Sequence, residues 1–112
     1  MKIYHNPRCG KSRDTLKLIQ AKGIEPEVVE YLKDTPSPEE IKEVLSKLGM
    51  KPMDIIRKGE TVYKEKFKGK DYSDSQWIDI LALNPILIER PIVVKDDKAI
   101  LGRPPENVKA LF

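Results

Sequence analysis

The sequence of 112 residues predicts an α/β fold built from a strand-helix-strand half, a helical segment, and a closing hairpin followed by a helix. Three observations support this fold class. Short runs of alternating or β-branched residues occur near both ends of the chain, as is typical of strands. Capping residues and helical periodicity dominate the stretch between them. A polar turn between two apolar runs near the end indicates the hairpin.

The first half of the fold is predicted from local patterns. Residues 2–5 alternate and suit a short strand. A helix is predicted from Cys9 to about Lys22, because apolar residues recur at helical spacing and Gly23 is a typical stop. Residues 27–32 are rich in β-branched and aromatic side chains and predict a second strand. Two strands joined by one helix should be parallel, with a right-handed crossover.

An all-helical insertion is predicted over about residues 36–88. Ser37-Pro38, with Glu40 three residues after the serine, favours a helix start of the capping-box type, and Gly49 ends that helix. The other predicted elements of the insertion are a short helix over 52–58, a solvated lysine-rich stretch over 64–70, and a largely apolar, buried helix from Ser73 to about Leu83.

The last part of the chain predicts a hairpin and a helix. Residues 92–95 and 99–101 flank the turn at 96–98, and residues 105–112 suit a final short helix. The complete element order is that of a thioredoxin-like fold. We therefore expect a small mixed four-stranded sheet, interrupted by the helical insertion, within one domain spanning residues 1–112.

Composition narrows the function classes. The net charge of +3, from 21 basic and 18 acidic residues, is too small and dispersed to indicate nucleic-acid binding. The amino terminus lacks the apolar run of a signal peptide, and the most apolar region, residues 78–94, is interrupted by charged residues and cannot span a bilayer. We expect a cytoplasmic protein that binds neither nucleic acid nor membrane. One cysteine and one histidine are too few for the usual zinc sites, so no metal is expected.

The single cysteine, Cys9, lies where the first predicted strand gives way to a helix. At that position a thiol meets unpaired backbone N–H groups and the positive end of the helix dipole, which both favour the thiolate. Free cysteines are often small buried hydrophobes, but a core cysteine belongs in an apolar run and residues 8–12 are polar throughout. A reactive thiol is therefore favoured. Any thiol that resolves its products must come from another molecule.

Three polar residues are candidates for supporting Cys9. Ser12 stands where a dithiol enzyme has its second cysteine, and it either donates a hydrogen bond to the thiolate or satisfies backbone groups of the first helical turn. His5 is either a structural hydrogen-bonding residue or an influence on the pKa of Cys9. Arg13 adds positive potential near the thiol.

Arginine is scarce in this lysine-rich chain, which suggests that the arginines have specific positions. Arg90 and Arg103 directly precede prolines, which restrict the preceding residue to extended conformations and so direct the arginine. Arg57, taken alone, would be a surface cation. Guanidinium groups suit carboxylates and tetrahedral oxyanions. Pro91, in front of a predicted core strand, is a candidate cis-proline.

Four segments together resemble the glutaredoxin-dependent arsenate reductase family of the Spx superfamily, over nearly the whole chain and in the same order. The segments are residues 5–13 (HNPRCGKSR), Arg57-Lys58, residues 84–94 (NPILIERPIVV) and Gly102-Arg103-Pro104.

The resemblance implies a mechanism and a set of site residues. Cys9 would attack arsenate, or a related oxyanion, and the arginines at 57, 90 and 103 would hold it. The family histidine that influences the cysteine matches His5, while Ser12, Arg13 and Pro91 fall within the matching segments as supporting residues. Glutathione would be the co-substrate and glutaredoxin would clear the mixed disulfide, with no bound cofactor.

Two alternatives remain open at this point. An Spx-like regulator would bind RNA polymerase instead of a small molecule, although such proteins typically carry a CxxC switch and this chain has Ser12 at the second position. A glutathione-dependent thiol–disulfide reductase would use Cys9 without needing the arginines.

Overall fold

The computed structural model describes all 112 residues and contains a four-stranded mixed sheet with strand order β2-β1-β3-β4. Strand β1 is parallel to β2 and antiparallel to β3, which is in turn antiparallel to β4. The predicted thioredoxin-like fold is confirmed. The strands are β1 (Lys2–His5), β2 (Glu27–Glu30), β3 (Ile92–Lys95) and β4 (Lys98–Leu101).

Two details of the strands follow from turn chemistry. The second strand ends at Glu30, earlier than the predicted residue 32, because the N–H groups of Lys33 and Asp34 both donate to the Glu30 carbonyl and close a turn. The hairpin between β3 and β4 has a two-residue loop in which Asp96 adopts a positive φ of 56°. Aspartate tolerates this left-handed conformation well. The loop is one residue shorter than the predicted turn over 96–98, because Lys98 pairs with Lys95 as the first residue of β4.

The three α-helices start and stop at the capping residues that the sequence indicates. In α2 (Pro38–Leu48), the Ser37 side chain accepts a hydrogen bond from the Glu40 N–H at 3.2 Å, and Gly49 ends the helix in a left-handed conformation. In α3 (Asp74–Leu83), Ser73 caps the helix and exchanges bonds with Gln76 as a capping box. The first helix, α1, covers Gly10–Ala21.

Four short helices lie between and after these elements, and their hydrogen bonding differs from that of α-helices. They are 3-10 helices over Pro52–Ile55, Pro85–Leu87 and Pro105–Leu111, and a π-helix over Tyr63–Phe67. The lysines of the 64–70 stretch are exposed, as predicted.

The chain divides into two compact units. The first combines Met1–Asp34 with Arg90–Phe112 and contains the whole sheet. The regular structure of the second, Thr35–Glu89, consists of helices and one isolated bridge, joined by loops. The single-domain assignment stays a prediction. In the second unit, α3 buries Trp77 and Leu81 but leaves Leu83 81% exposed, so the helix is buried along one face and not throughout. No helix of the chain has the length and apolar character needed to cross a membrane.

The core of the first unit fixes the central strands. Its buried members lie on β1, α1, β3 and the last helix: Ile3, Ile19, Val93, Val108 and Leu111. Because β1 and β3 are antiparallel neighbours, paired at Tyr4 and Ile92, the end of β1 lies beside the start of β3. The residues that follow β1 and those that precede β3 are therefore brought to one edge of the sheet.

Candidate active site

Cys9 occupies the N-cap position of α1, as its place between strand and helix predicts. Its backbone is extended, with φ −94° and ψ 122°. The Cys9 N–H donates to the Asn6 carbonyl at 3.0 Å, and the Cys9 carbonyl accepts from the Arg13 N–H at 3.0 Å. The thiol is only half-buried. Backbone bonds on both sides thus hold a solvent-accessible thiol at the positive end of a helix.

Two arginines belong to this part of the structure: one contacts the Cys9 thiol, and the second contacts the first. The Arg90 guanidinium hydrogen-bonds the Cys9 sulfur. Arg103 approaches from the segment after β4, where its Nη1 donates to the Arg90 carbonyl at 3.3 Å. The Arg90–Pro91 peptide is cis, as expected for Pro91, and the Arg103–Pro104 peptide is also cis, which the sequence analysis did not predict.

The surroundings of Cys9 favour its thiolate form. Burial raises the pKa of the thiol, but the backbone N–H of Ser12, the Arg90 guanidinium and the backbone N–H of Lys11 act in the opposite direction, and the pKa of Cys9 ends below its usual value. The Cys9 side chain makes no capping hydrogen bond to α1. The backbone N–H groups at the start of the helix stabilise the thiolate because their dipoles point towards the sulfur. Cys9 is therefore suited to act as a nucleophile.

Ser12 is fully buried, and its hydroxyl makes its hydrogen bonds to groups other than the Cys9 sulfur. Its Oγ lies 2.6 Å from His5 Nδ1 and accepts a hydrogen bond from the Asn6 N–H at 3.0 Å. The hydroxyl thus satisfies a backbone group and ties α1 to the end of β1. The part of Ser12 that acts on the Cys9 sulfur is its backbone N–H.

His5 is buried at the end of β1, and the pKa of its imidazole is lowered, which favours the neutral ring. Burial lowers the pKa of His5, the Glu30 carboxylate opposes this effect, and Arg13 adds to it. The imidazole therefore contributes a hydrogen bond to Ser12 and not a positive charge. Arg13 itself is exposed, and its Nη1 donates to the Pro7 carbonyl at 3.0 Å, which holds the loop before Cys9.

Arg57 belongs to the second unit, where two acidic residues contact it. Its Nε lies 3.3 Å from Glu60 Oε1, and its Nη1 lies 3.9 Å from Glu89 Oε2. Its backbone N–H donates to the Leu87 carbonyl at 2.7 Å. With a side chain only 24% exposed, Arg57 is not a plain surface cation. Within the first unit, Arg90 contacts Cys9 and Arg103 contacts the backbone of Arg90.

Comparison with known proteins gives the chain a family. A family model described as the ArsC family matches residues 4–111. The chain belongs to the ArsC family. YfgD of Escherichia coli K12, named as an uncharacterized protein, is 46% identical over 110 residues, which are 96% of this chain and 92% of YfgD.

Two other relatives of the chain carry an activity in their names. The arsenate reductase of Neisseria meningitidis serogroup A is 40% identical over 114 residues, covering 100% of this chain and 97% of its own. The solved structure of the arsenate reductase from Vibrio cholerae superposes with a TM-score of 0.95 at 44% identity, covering 100% of this chain and 98% of its own. This likeness extends across the sheet and the helical insertion.

The ArsC site also depends on two residues that the sequence analysis did not single out. Thr15 is completely buried, and its Oγ1 donates to the Lys11 carbonyl at 2.8 Å. Gly102 packs directly against it: a Cβ added there would lie 2.6 Å from Thr15 Oγ1 and 2.6 Å from Pro91 Cγ. This contact joins α1 to both arginine-bearing segments. The only sequence signal was the Gly102-Arg103-Pro104 string, in which the glycine precedes an arginine.

The pH dependence of Cys9 alkylation gives a direct check of the thiolate in this ArsC protein. Because only the thiolate reacts and Cys9 is the only cysteine, iodoacetamide reports on this residue alone. We expect the rate to reach half its maximum below the free-thiol value of about 8.5. Arg90→Met removes the adjacent positive charge and should move the midpoint upward.

The matched control is Lys17→Met, which removes an exposed positive charge from α1 and should leave the midpoint in place. A wild-type midpoint at the free-thiol value would contradict the electrostatic role of Arg90 and of the helix terminus.

Proposed function

We propose that this protein reduces arsenate to arsenite through an adduct on Cys9, with glutathione and glutaredoxin supplying the electrons. The observation that carries the proposal is the contact between the Arg90 guanidinium and a thiol whose pKa is lowered at a helix N-terminus. The relatives in Neisseria meningitidis and Vibrio cholerae that are named arsenate reductases support arsenate as the substrate. We place the reaction in the cytoplasm, where thiols stay reduced.

Arginine side chains would bind the substrate and offset its charge. Arsenate is a tetrahedral dianion near neutral pH, so a thiolate can approach it only where positive charge is fixed in advance. Arg90 and Arg103 are held on two neighbouring segments through the bond from Arg103 to the Arg90 carbonyl. Arg57 is the third oxyanion ligand implied by the family resemblance. Guanidinium donors match the oxygen geometry of such an anion.

The first chemical step is a displacement at arsenic. The Cys9 thiolate attacks, a sulfur–arsenic bond forms, and one arsenic–oxygen bond breaks. The oxygen leaves as hydroxide and takes up a proton to become water. Arsenic remains in the +5 state, so this step is substitution and not reduction.

Two attacks by external thiols follow, of which the first reduces arsenic and the second regenerates Cys9. A glutathione thiolate attacks the Cys9 sulfur, a disulfide forms, and the electron pair of the sulfur–arsenic bond stays on arsenic, which leaves as arsenite in the +3 state. A glutaredoxin thiolate then attacks the glutathione sulfur and releases the Cys9 thiolate. Since the chain has no second thiol, both attacks use sulfur from other molecules.

Arginine substitutions test the proposal against its nearest alternative, a glutathione-dependent thiol–disulfide reductase that a low-pKa Cys9 would also suit. Arsenate turnover is measured as NADPH oxidation coupled through glutathione reductase and glutaredoxin, with arsenate varied. We expect Arg90→Ala and Arg103→Ala to lower kcat/KM for arsenate by about 10²–10³-fold, as the loss of one preorganised donor to a developing charge commonly does. Exchange with a neutral model disulfide should change much less.

Lys58→Ala is the matched control for charge, since Lys58 is exposed and adjacent to Arg57. Absence of arsenate-dependent turnover by the wild-type protein would reject the proposal. Unchanged arsenate turnover and unchanged disulfide exchange in both arginine variants would favour the alternative reductase, which uses Cys9 without needing the arginines.

A further inference from the structure

A cleft of about 180 Å³ lies at the carboxyl ends of the two parallel strands. His5 ends β1 and Glu30 ends β2, and the two residues are register partners in the sheet. The cleft is also lined by Arg8, on the loop between β1 and Cys9, and by Leu32 and Lys33, in the turn after β2. Loops after the carboxyl ends of parallel strands are common positions for ligand sites in α/β proteins.

The sheet order places this cleft on the opposite side of β1 from the arginines. Strand β1 lies between β2 and β3, and Cys9 follows β1 by way of the loop at residues 6–8. Arg90 precedes β3 and reaches the Cys9 sulfur from that side. The cleft opens on the β2 side. The Arg90 guanidinium thus reaches Cys9 from the β3 side, whereas the cleft cations Arg8 and Lys33 lie on the β2 side of the loop that leads to Cys9.

Displacement at sulfur has a strict geometry, in which the incoming thiolate, the attacked sulfur and the leaving atom lie close to one line. This argument rests on the proposed function, in which arsenic leaves from Cys9. Arsenic held at Arg90 leaves toward β3. The incoming thiolate therefore approaches from the β2 side, where the cleft lies.

We propose that this cleft binds glutathione during the second step. Glutathione carries two carboxylates and one ammonium group, and the cleft offers two cations, Arg8 and Lys33, and one carboxylate, Glu30. Lys33 Nζ and Glu30 Oε1 are 3.8 Å apart in an exposed ion pair, which costs little to rearrange around a ligand. Leu32, which is 42% exposed, provides an apolar contact.

The size of the cleft fits a transient co-substrate. Sites that enclose drug-sized ligands measure roughly 300–1,000 Å³, whereas this cleft measures about 180 Å³. It therefore holds part of the tripeptide and leaves the rest exposed. An exposed glutathione remains accessible when glutaredoxin attacks its sulfur in the following step.

The test isolates the glutathione step from arsenate. Cys9 is first converted to its mixed disulfide with thionitrobenzoate, and glutathione attack at Cys9 then releases the coloured thiolate. We expect the rate to saturate with glutathione in the wild-type protein. In Arg8→Ala/Lys33→Ala the second-order rate constant should fall about tenfold, the effect of losing roughly one charge-assisted contact. The rate with 2-mercaptoethanol, which has no charged groups, should stay the same.

The control Lys17→Ala removes an exposed cation outside the cleft and should keep the wild-type rate with glutathione. Equal rate constants for glutathione in the wild type and the double variant would overturn the proposal, as would an equal fall with both thiols. If the double variant shows the selective loss but the wild type does not turn over arsenate, the cleft assignment stands and the proposed function fails. A third series uses glutaredoxin as the attacking thiol. If the double variant reacts more slowly with glutaredoxin but not with glutathione, the cleft is assigned to glutaredoxin and the glutathione proposal is rejected.

Discussion

Cys9→Ser is expected to abolish arsenate reduction. A serine hydroxyl stays protonated under conditions in which the Cys9 thiol ionises, and it can neither displace an arsenate oxygen efficiently nor form the disulfide that reduces arsenic. Removal of the nucleophile in other covalent enzymes costs up to about 10⁶-fold in kcat, and we expect turnover to fall to background, a loss on the order of 10⁴-fold or more. The measurement is the coupled NADPH assay with saturating glutathione and glutaredoxin.

The same variant separates chemistry from binding. Serine differs from cysteine by one atom, and the backbone bonds at this position use the Cys9 N–H and carbonyl, which serine keeps. Thermal unfolding of Cys9→Ser should therefore match the wild type, and arsenate should still bind. Substantial arsenate turnover by a folded Cys9→Ser protein would rule out a Cys9 adduct and require another reducing group.

The local parts of the fold could be predicted from sequence because local chemistry determines them. Ser37 and Ser73 accept hydrogen bonds from backbone N–H groups three residues later, and Gly49 ends α2 at its own position. The turn at Asp96 is likewise determined by the backbone conformation of the turn residues themselves. Cys9 could be placed at a helix N-terminus for the same reason: the strand, the break and the helix start are consecutive in the chain.

The remaining features depend on contacts between distant residues. Thr15 and Gly102 are 87 positions apart, and no local pattern brings them together. The side-chain contact of Ser12 with His5 depends on how α1 lies against the end of β1. The exposure of Leu83 depends on which face of α3 packs against its neighbours. Because α3 is apolar around most of its circumference, its sequence does not indicate which face is buried.

Gly102→Ala is expected to damage both stability and activity, since no side chain fits at this position. The added Cβ would lie 2.6 Å from Pro91 Cγ, 2.6 Å from Thr15 Oγ1 and 3.1 Å from Thr15 Cγ2. Pro91 and Thr15 are both fully buried, so neither can rotate away. The backbone must shift instead, and overpacking of this kind typically costs about 1–3 kcal/mol. For a chain of this size, the cost corresponds to a fall in Tm on the order of 5–15 °C.

The backbone shift caused by Gly102→Ala should also displace the arginines. Activity should therefore fall even in the fraction of the variant that is folded. The Gly102 N–H donates to the Pro91 carbonyl at 2.9 Å, and Arg90 and Arg103 are the immediate neighbours of these two residues. A misplacement of about 1 Å can cost on the order of 10²-fold in rate, so kcat/KM for arsenate should fall by that order at temperatures where the variant is folded.

Two comparisons make the Gly102 prediction specific. Gly59→Ala adds the same methyl group where no atom lies within 4 Å, and it should leave both Tm and kcat/KM near their wild-type values. Thr15→Ala removes two of the three clashing atoms, so Gly102→Ala should cost less in that background, by roughly 1 kcal/mol or more in a double-mutant cycle. Strictly additive effects of the two substitutions would mean that the crowding at Thr15 is not what the new methyl group encounters. In that case the arginine-bearing segments would be positioned by contacts other than the packing of α1 against Gly102.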